Sequence, residues 1–438
     1  MPTPGQTLLG FVADTRYEDL SKPALETARS AVLDWWGVTV AGVHEPVARF
    51  LVELLAEPGG GPASVLGTDV MTSPITAALL NGTAAHALDY DDVTLALPGH
   101  LAAPLLPGLL AVAEARGLGG RDLLTAFVLG AEVASRAARA LAPGHYRAGW
   151  HATATLGRLG GAAAVGRLLG LDGARLDTAV GLAATQAGGI QEAFGSMAKP
   201  FQVGRAAADA LLAALAAERG VTGPRGILDG EAWARRLSPT WAPGRLTEGL
   251  GGRYAVTELI FKRYPCCFAT HAAVSALLTV RPSLDPTAIE RVELDVCPTA
   301  LQVADQRAPR TGLGGKFSMT YCAAAALARG HVREEDFTDP AVADPAVQTL
   351  AQRVAMTPNA AFDETRARVV VRMLGGETRE AVADLLADAD PEGTRRDLAD
   401  KFRRLVAPRL GDREAERLLT AIAALDELDR AQELCRPR

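Results

Sequence analysis

The chain has 438 residues, 48% of them hydrophobic and 22% charged, with a formal net charge of −6. That composition suits two or three folded domains and excludes a disordered chain. The acidic balance argues against a nucleic-acid partner, which wants a basic face. Five cysteines without a CxxC pair argue against a disulfide scaffold, a zinc ribbon or an iron–sulfur site. The apolar runs, such as residues 102–113, contain Pro and Gly and fall short of the roughly 18 residues a membrane span needs. With no secretory pattern in residues 1–20, the expectation is a cytoplasmic protein.

From residue 7 to about 260 the pattern is a succession of amphipathic helices with Gly and Pro punctuation. Helices are expected over residues 23–40, 73–88, 121–141, 152–169, 174–187 and 203–219. Ser73-Pro74 reads as an N-cap followed by Pro at the first helical position. Residues 58–63 form a Gly/Pro-rich loop. After Lys262 the character changes: residues 289–297 alternate Val292, Leu294 and Val296 with charged neighbours, and residues 366–382 place Gly375-Gly376 between two alternating runs, which predicts strands and a hairpin. Helical spacing returns after Gly393. The fold class is therefore mainly α with an α+β insertion. Residues 1–262 and 393–438 make one all-helical domain from both chain ends, and residues 263–392 make a smaller α+β lid.

Three of the seven histidines share a context. His100, His151 and His271 each stand at the start of an expected helix, and Lys199 precedes Pro200 just ahead of another, where Pro biases it to an extended backbone. Cations are disfavoured there by roughly 0.3 to 1 kcal/mol, so stability alone does not account for the pattern. A helix N-terminus keeps an adjacent imidazole neutral at pH 7, and its free N–H groups attract carboxylates. Gathered at one place, these residues would abstract a proton next to a carboxylate, with Lys199 neutralising the developing enolate. Taken singly, each histidine reads better as an ordinary loop-end residue bonded to nearby backbone; the set of four is what favours the functional reading.

Asp89, Asp91 and Asp92, in the run DYDD, follow the 73–88 helix at the end that disfavours acids. They hold a cation, orient His86 and His100, or form a solvated turn. Cys266-Cys267 reads as an inert pair, and residues 312–316 lack the spacing of a phosphate loop. Arg205, Lys262 and Arg263 are candidates to meet substrate carboxylates. Two other classes stay open: a magnesium-dependent isoprenoid enzyme using the Asp-rich run, and a scaffold without activity.

The segments 81–92 (NGTAAHALDYDD), 194–201 (FGSMAKPF), 264–267 (YPCC) with Thr270-His271, and 316–321 (KFSMTY) together resemble the MmgE/PrpD family, whose activities include 2-methylcitrate dehydratase, cis-aconitate decarboxylase and iminodisuccinate epimerase. The resemblance runs over nearly the whole chain. It implies a helical domain with an α+β lid, a homodimer, no metal or organic cofactor, and a site on Asp89, His100, His151, Lys199, His271 and Tyr321. Where many relatives have His-Pro-Ser, this chain has His100-Leu101-Ala102. Gln202 stands where histidine is frequent, and Phe268 where a polar or basic residue is common, which implies a substrate less charged than a tricarboxylate, or recognition of its charge from elsewhere. The resulting expectation is a cofactor-independent lyase acting on a small carboxylic acid, dehydration first, decarboxylation or epimerisation as alternatives. His151 or His271 would be the base, His100 backed by Asp89 the proton donor, Tyr321 a donor from the lid, and Arg205, Lys262 and Gln202 substrate contacts.

Overall fold

A computed structural model describes residues 1–56, 60–388 and 390–435; Pro58 and Gly59 of the expected loop lie outside them. Most of the described chain is helical, and the strands belong to one two-stranded and one four-stranded sheet. Among the described residues no helix is long and apolar enough to cross a membrane.

One hydrophobic core gathers Leu8, Trp35, Leu105, Phe127 and Leu156 with Phe402, Val406, Leu418 and Ile422, so the C-terminal helices Pro391–Leu410 and Asp412–Ala423 pack into the N-terminal bundle. Close helix approach here depends on glycine. A Cβ on Gly204 of the Ala198–Glu218 helix would collide with Thr83 and the Leu79 carbonyl of the Pro74–Ala87 helix, and a Cβ on Gly160 would meet the Gly130 carbonyl at 2.6 Å. The expected small-residue packing is thus explicit at these crossings.

A second core joins Cys266, Val274, Val292, Leu294, Tyr321, Val369 and Val371. Its sheet runs Val354–Pro358, Ile289–Val296, Arg366–Met373, Thr378–Asp384 in spatial order, the first pair parallel and the others antiparallel. The expected hairpin is the last pair, turning at Gly376 with φ +84°. Val354–Pro358 went unforeseen because no alternation of burial marks it. The small pair Ala63–Ser64 and Met71–Thr72 was equally unforeseen, being only two residues long on each side.

Buried ammoniums tie backbone segments together, within the bundle and between it and the second core. Lys316 Nζ donates to Leu88 O at 2.7 Å and to Pro265 O at 2.9 Å. Lys401 Nζ pairs with Asp34 at 2.6 Å and donates to Tyr90 O at 2.6 Å. Lys316 therefore binds backbone carbonyls, as its neighbouring glycines had not suggested.

Candidate active site

The helix boundaries place the singled-out cations near where the sequence puts them. His151 is the N-cap of Ala152–Leu168, His271 the first residue of His271–Val280, and His100 lies two residues before Ala102–Arg116. Lys199 differs: it is helical, in the first turn of Ala198–Glu218. Pro200 is tolerated there because a first-turn N–H has no intrahelical acceptor to lose.

Asp89, His100, His151, Lys199 and Lys262 line one cavity of about 170 Å³. Asp89 follows the Pro74–Ala87 helix with φ +51°, a left-handed conformation that Asp accepts more readily than most residues. Its carboxylate pairs with the Lys199 ammonium and with Lys262 Nζ at 3.0 Å, and Lys262 also donates to Asp89 O at 2.8 Å. Burial works to raise this carboxyl's pKa, but the two ammoniums outweigh it and hold the group well below the usual carboxylate range. Lys199 also faces the Phe194 and Phe317 rings at 5.1 and 5.0 Å.

Asp91 is an acceptor shared by two imidazoles. Its Oδ2 lies 2.9 Å from His86 Nδ1 and 3.1 Å from His100 Nδ1. His100 Nδ1 is also 2.6 Å from Asp92 O. A carboxylate and a carbonyl can only accept, so both Nδ1 atoms carry hydrogen; in a neutral ring the lone pair is then on Nε2. His86 Nε2 is buried without a partner among the described residues, and burial pushes the ring's pKa down to about 4.

His151 has the opposite tautomer. Gln202 is oriented by the Ile190 backbone, its Oε1 accepting from Ile190 N at 3.0 Å and its Nε2 donating to Ile190 O at 3.1 Å. The same Nε2 lies 3.0 Å from His151 Nδ1. An amide nitrogen only donates, so His151 Nδ1 accepts and the ring proton sits on Nε2. Burial first, then His86 and Lys199, hold this ring's pKa well below its usual value. The two rings are thus held in opposite senses, His100 donating through Nδ1 and His151 accepting there.

Asp92 accepts from Leu101 N at 3.2 Å and Ala102 N at 3.1 Å. It thereby caps the helix that was expected to offer free N–H groups to substrate, a correction the sequence hides because the cap comes from ten residues upstream. Burial, then Asp91 and Asp34, raise its pKa to about 8. All three acids of the DYDD run are buried and engaged, so the solvated-turn reading is corrected too. Ligand atoms of His86, Asp89 and His100 do lie within 4.8 Å of one another. With two ammoniums already on Asp89, a divalent cation there would meet strong repulsion.

Four expected site residues lie elsewhere. His271 lines a separate cleft of about 690 Å³, its Nε2 3.3 Å from Cys266 O and its ring against Tyr264 and Phe268; Phe268 and Lys262 border both spaces. Tyr321 is fully buried and donates to Asp336 O, because the second core claims its ring. Arg205 pairs with Asp209 at 2.6 Å on a half-exposed helix face. Gln202 acts through His151 and is not among the lining groups. Lys262, expected to meet substrate, lines the cavity and gives two of its three donors to Asp89.

The lining also includes Cys267, read from the sequence as inert, and Thr94, Tyr146, Thr299 and Glu364, which sequence reasoning missed. Isolated Thr, Tyr and Glu carry no spacing signal; only their convergence marks them. The Thr94 hydroxyl is buried with no partner among the described residues, a group in want of a ligand. Burial pushes the Cys267 thiol up to about 12, so it stands as a neutral side chain.

A cavity in which one imidazole donates through Nδ1 and another accepts there, beside an ammonium, is equipment for moving protons. The chain matches the MmgE/PrpD N-terminal domain over residues 6–240 and the MmgE/PrpD C-terminal domain over residues 264–427. It belongs to the MmgE/PrpD family. It is similar to a cis-aconitate decarboxylase-like protein of Aspergillus oryzae, 28% identical with 96% of this chain and 94% of the relative covered. It is likewise similar to the cis-aconitate decarboxylase of Homo sapiens, 28% identical with 82% and 78% covered. The 2-methylcitrate dehydratase of Cupriavidus necator is 25% identical, with 82% and 79% covered. The chain is a lyase, as these relatives are.

Proposed function

We propose that this lyase removes the proton next to the carboxylate of a small carboxylic acid and expels water from the neighbouring carbon. The observation that carries the reading is the opposed setting of two rings, His100 donating through Nδ1 to Asp91 and Asp92 O, and His151 accepting at Nδ1 from Gln202. The substrate carboxylate sits against Lys199 and the unpartnered Thr94 hydroxyl. His100 Nε2 takes the α-proton as the C–H bond breaks, and Asp91 stabilises the imidazolium so formed. Negative charge moving onto the carboxylate oxygens meets the Lys199 ammonium and the His151 Nε2–H, which strengthen as the enolate develops. His100 then returns the proton to the departing hydroxyl, water leaves, and the ring is neutral again. Each step uses the chain's own side chains.

Incubating hydroxy acids with the enzyme in D₂O tests this: deuterium enters the α-position, an unsaturated acid accumulates, and His100→Ala abolishes both. Absence of exchange from every acid that binds contradicts the reading. Decarboxylation is the second reading, favoured by the names of the relatives at 28% identity; release of carbon dioxide in place of water would establish it.

A further inference from the structure

Charge bookkeeping inside the cavity narrows the substrate. Its lining contains two ammoniums, Lys199 and Lys262, and two carboxylates, Asp89 and Glu364; among the described residues no arginine lines it. Lys262 is committed to Asp89 through both the carbonyl and the carboxylate. Lys199 shares the other Asp89 oxygen and keeps further N–H donors for a ligand. The fixed charges therefore cancel, leaving Lys199 to meet one incoming carboxylate. Two further carboxylates would find no second uncommitted ammonium, only neutral hydroxyls, the Phe194, Phe268 and Phe317 rings, the neutral Cys267 thiol and the like charge of Glu364. Buried anions without a partner are strongly disfavoured.

The rest of the lining is rich in hydroxyls. Thr94, Tyr146 and Thr299 contribute theirs, and Glu364, which stands two residues before the Arg366–Met373 strand, adds an acceptor. After burial and Cys267, the Glu364 charge is among the causes that raise the Tyr146 phenol above its ordinary value, so the two groups face a common space and the phenol stays a donor. Hydroxyls on a ligand would both accept from these groups and donate to Glu364.

We infer that the substrate is a hydroxylated monocarboxylate, its single carboxylate at Lys199 and its hydroxyl-bearing end toward Glu364, and that Glu364 excludes di- and tricarboxylates. The inference rests on this cavity being the site of the proposed reaction.

Calorimetric titration of the whole enzyme at pH 7.5 with threonate, gluconate and cis-aconitate tests it without turnover. The expected result is a Kd for threonate or gluconate at least tenfold lower than for cis-aconitate. In Glu364→Gln that ratio shrinks at least fivefold, through tighter cis-aconitate and weaker monoacid binding. Equal or tighter binding of cis-aconitate by the wild type, an unchanged ratio in the variant, or no binding of either monoacid overturns it. Following α-proton exchange of the bound acids in D₂O separates the two claims. Exchange into a tightly bound tricarboxylate ends the substrate class and leaves the proton-abstraction chemistry standing. A tightly bound monoacid without exchange does the opposite.

Discussion

Gln202 Nε2 lies 3.0 Å from His151 Nδ1 while the Ile190 backbone holds the amide from its other side. One side chain outside the cavity thereby decides which nitrogen of a cavity histidine carries the proton. Gln202→Glu reverses that: a carboxylate accepts, the proton moves to Nδ1, and the cavity loses a donor. The expected cost is roughly 10²-fold in kcat, the usual scale for one donor lost to a developing oxyanion. KM should change little, and Gln202→Asn with a shorter reach should not rescue. Nitrogen NMR of the ring reads the tautomer directly in both proteins.

The two ammoniums on Asp89 should separate by substitution. Lys262→Met removes partners from a buried carboxylate and a buried carbonyl, and is expected to cost about 3 kcal/mol in urea unfolding. Lys199→Met leaves Asp89 its Lys262 partner on the cavity wall and should cost less stability while abolishing turnover. Equal losses of stability with activity retained in Lys199→Met would contradict the roles given to the pair.

Stability should peak near pH 6.5. His86 and His145 are pushed down to about 4 by burial, so folded protein binds fewer protons than unfolded protein between pH 4 and 6.5, and stability is lost as pH falls through that window. Asp92 is raised to about 8; its contribution is present below pH 4 and is lost as pH rises towards 8. His151, also held low by burial, adds to the acid limb, so the histidines outweigh one carboxyl there, and Asp92 contributes to the alkaline limb. Each net proton is worth about 1.4 kcal/mol per pH unit. Chemical denaturation across pH 4 to 8.5 tests the shape, and Asp92→Asn should flatten the alkaline limb.

Arg205 and Tyr321 should prove dispensable for chemistry. Arg205→Ala breaks an exposed pair with Asp209 and should move kcat/KM less than twofold. Tyr321→Phe orphans the buried Asp336 carbonyl and should cost about 1 to 3 kcal/mol of stability, with kcat intact. A hundredfold fall in kcat for either would place it back at the cavity.

What the sequence revealed follows from what repeats locally. Ser73-Pro74 marks a helix start through capping chemistry, and the alternation of Val292, Leu294 and Val296 marks a strand. The cavity cations were legible because each broke a local rule, a positive or titratable group at a helix start. What decides their roles is non-local. The tautomer of His151 depends on Gln202, 51 residues away, and the fate of Asp89 on Lys262, 173 residues away. His271 shows the converse: it obeys the same local pattern as His151, yet Phe268 stands between it and the cavity residues. Glu364 and Thr94 had no pattern to betray them, since a single Glu or Thr is an ordinary surface residue until folding turns it inward.

The account stands on His100 as the base and His151 as the neutral donor. Its most direct test is α-proton exchange in D₂O on an acid the enzyme binds, comparing His100→Ala with His151→Ala. The account predicts that His100→Ala exchanges no deuterium at all, while His151→Ala still exchanges, slowed by roughly 10²-fold for one missing donor. Exchange that survives in His100→Ala and vanishes in His151→Ala would contradict it.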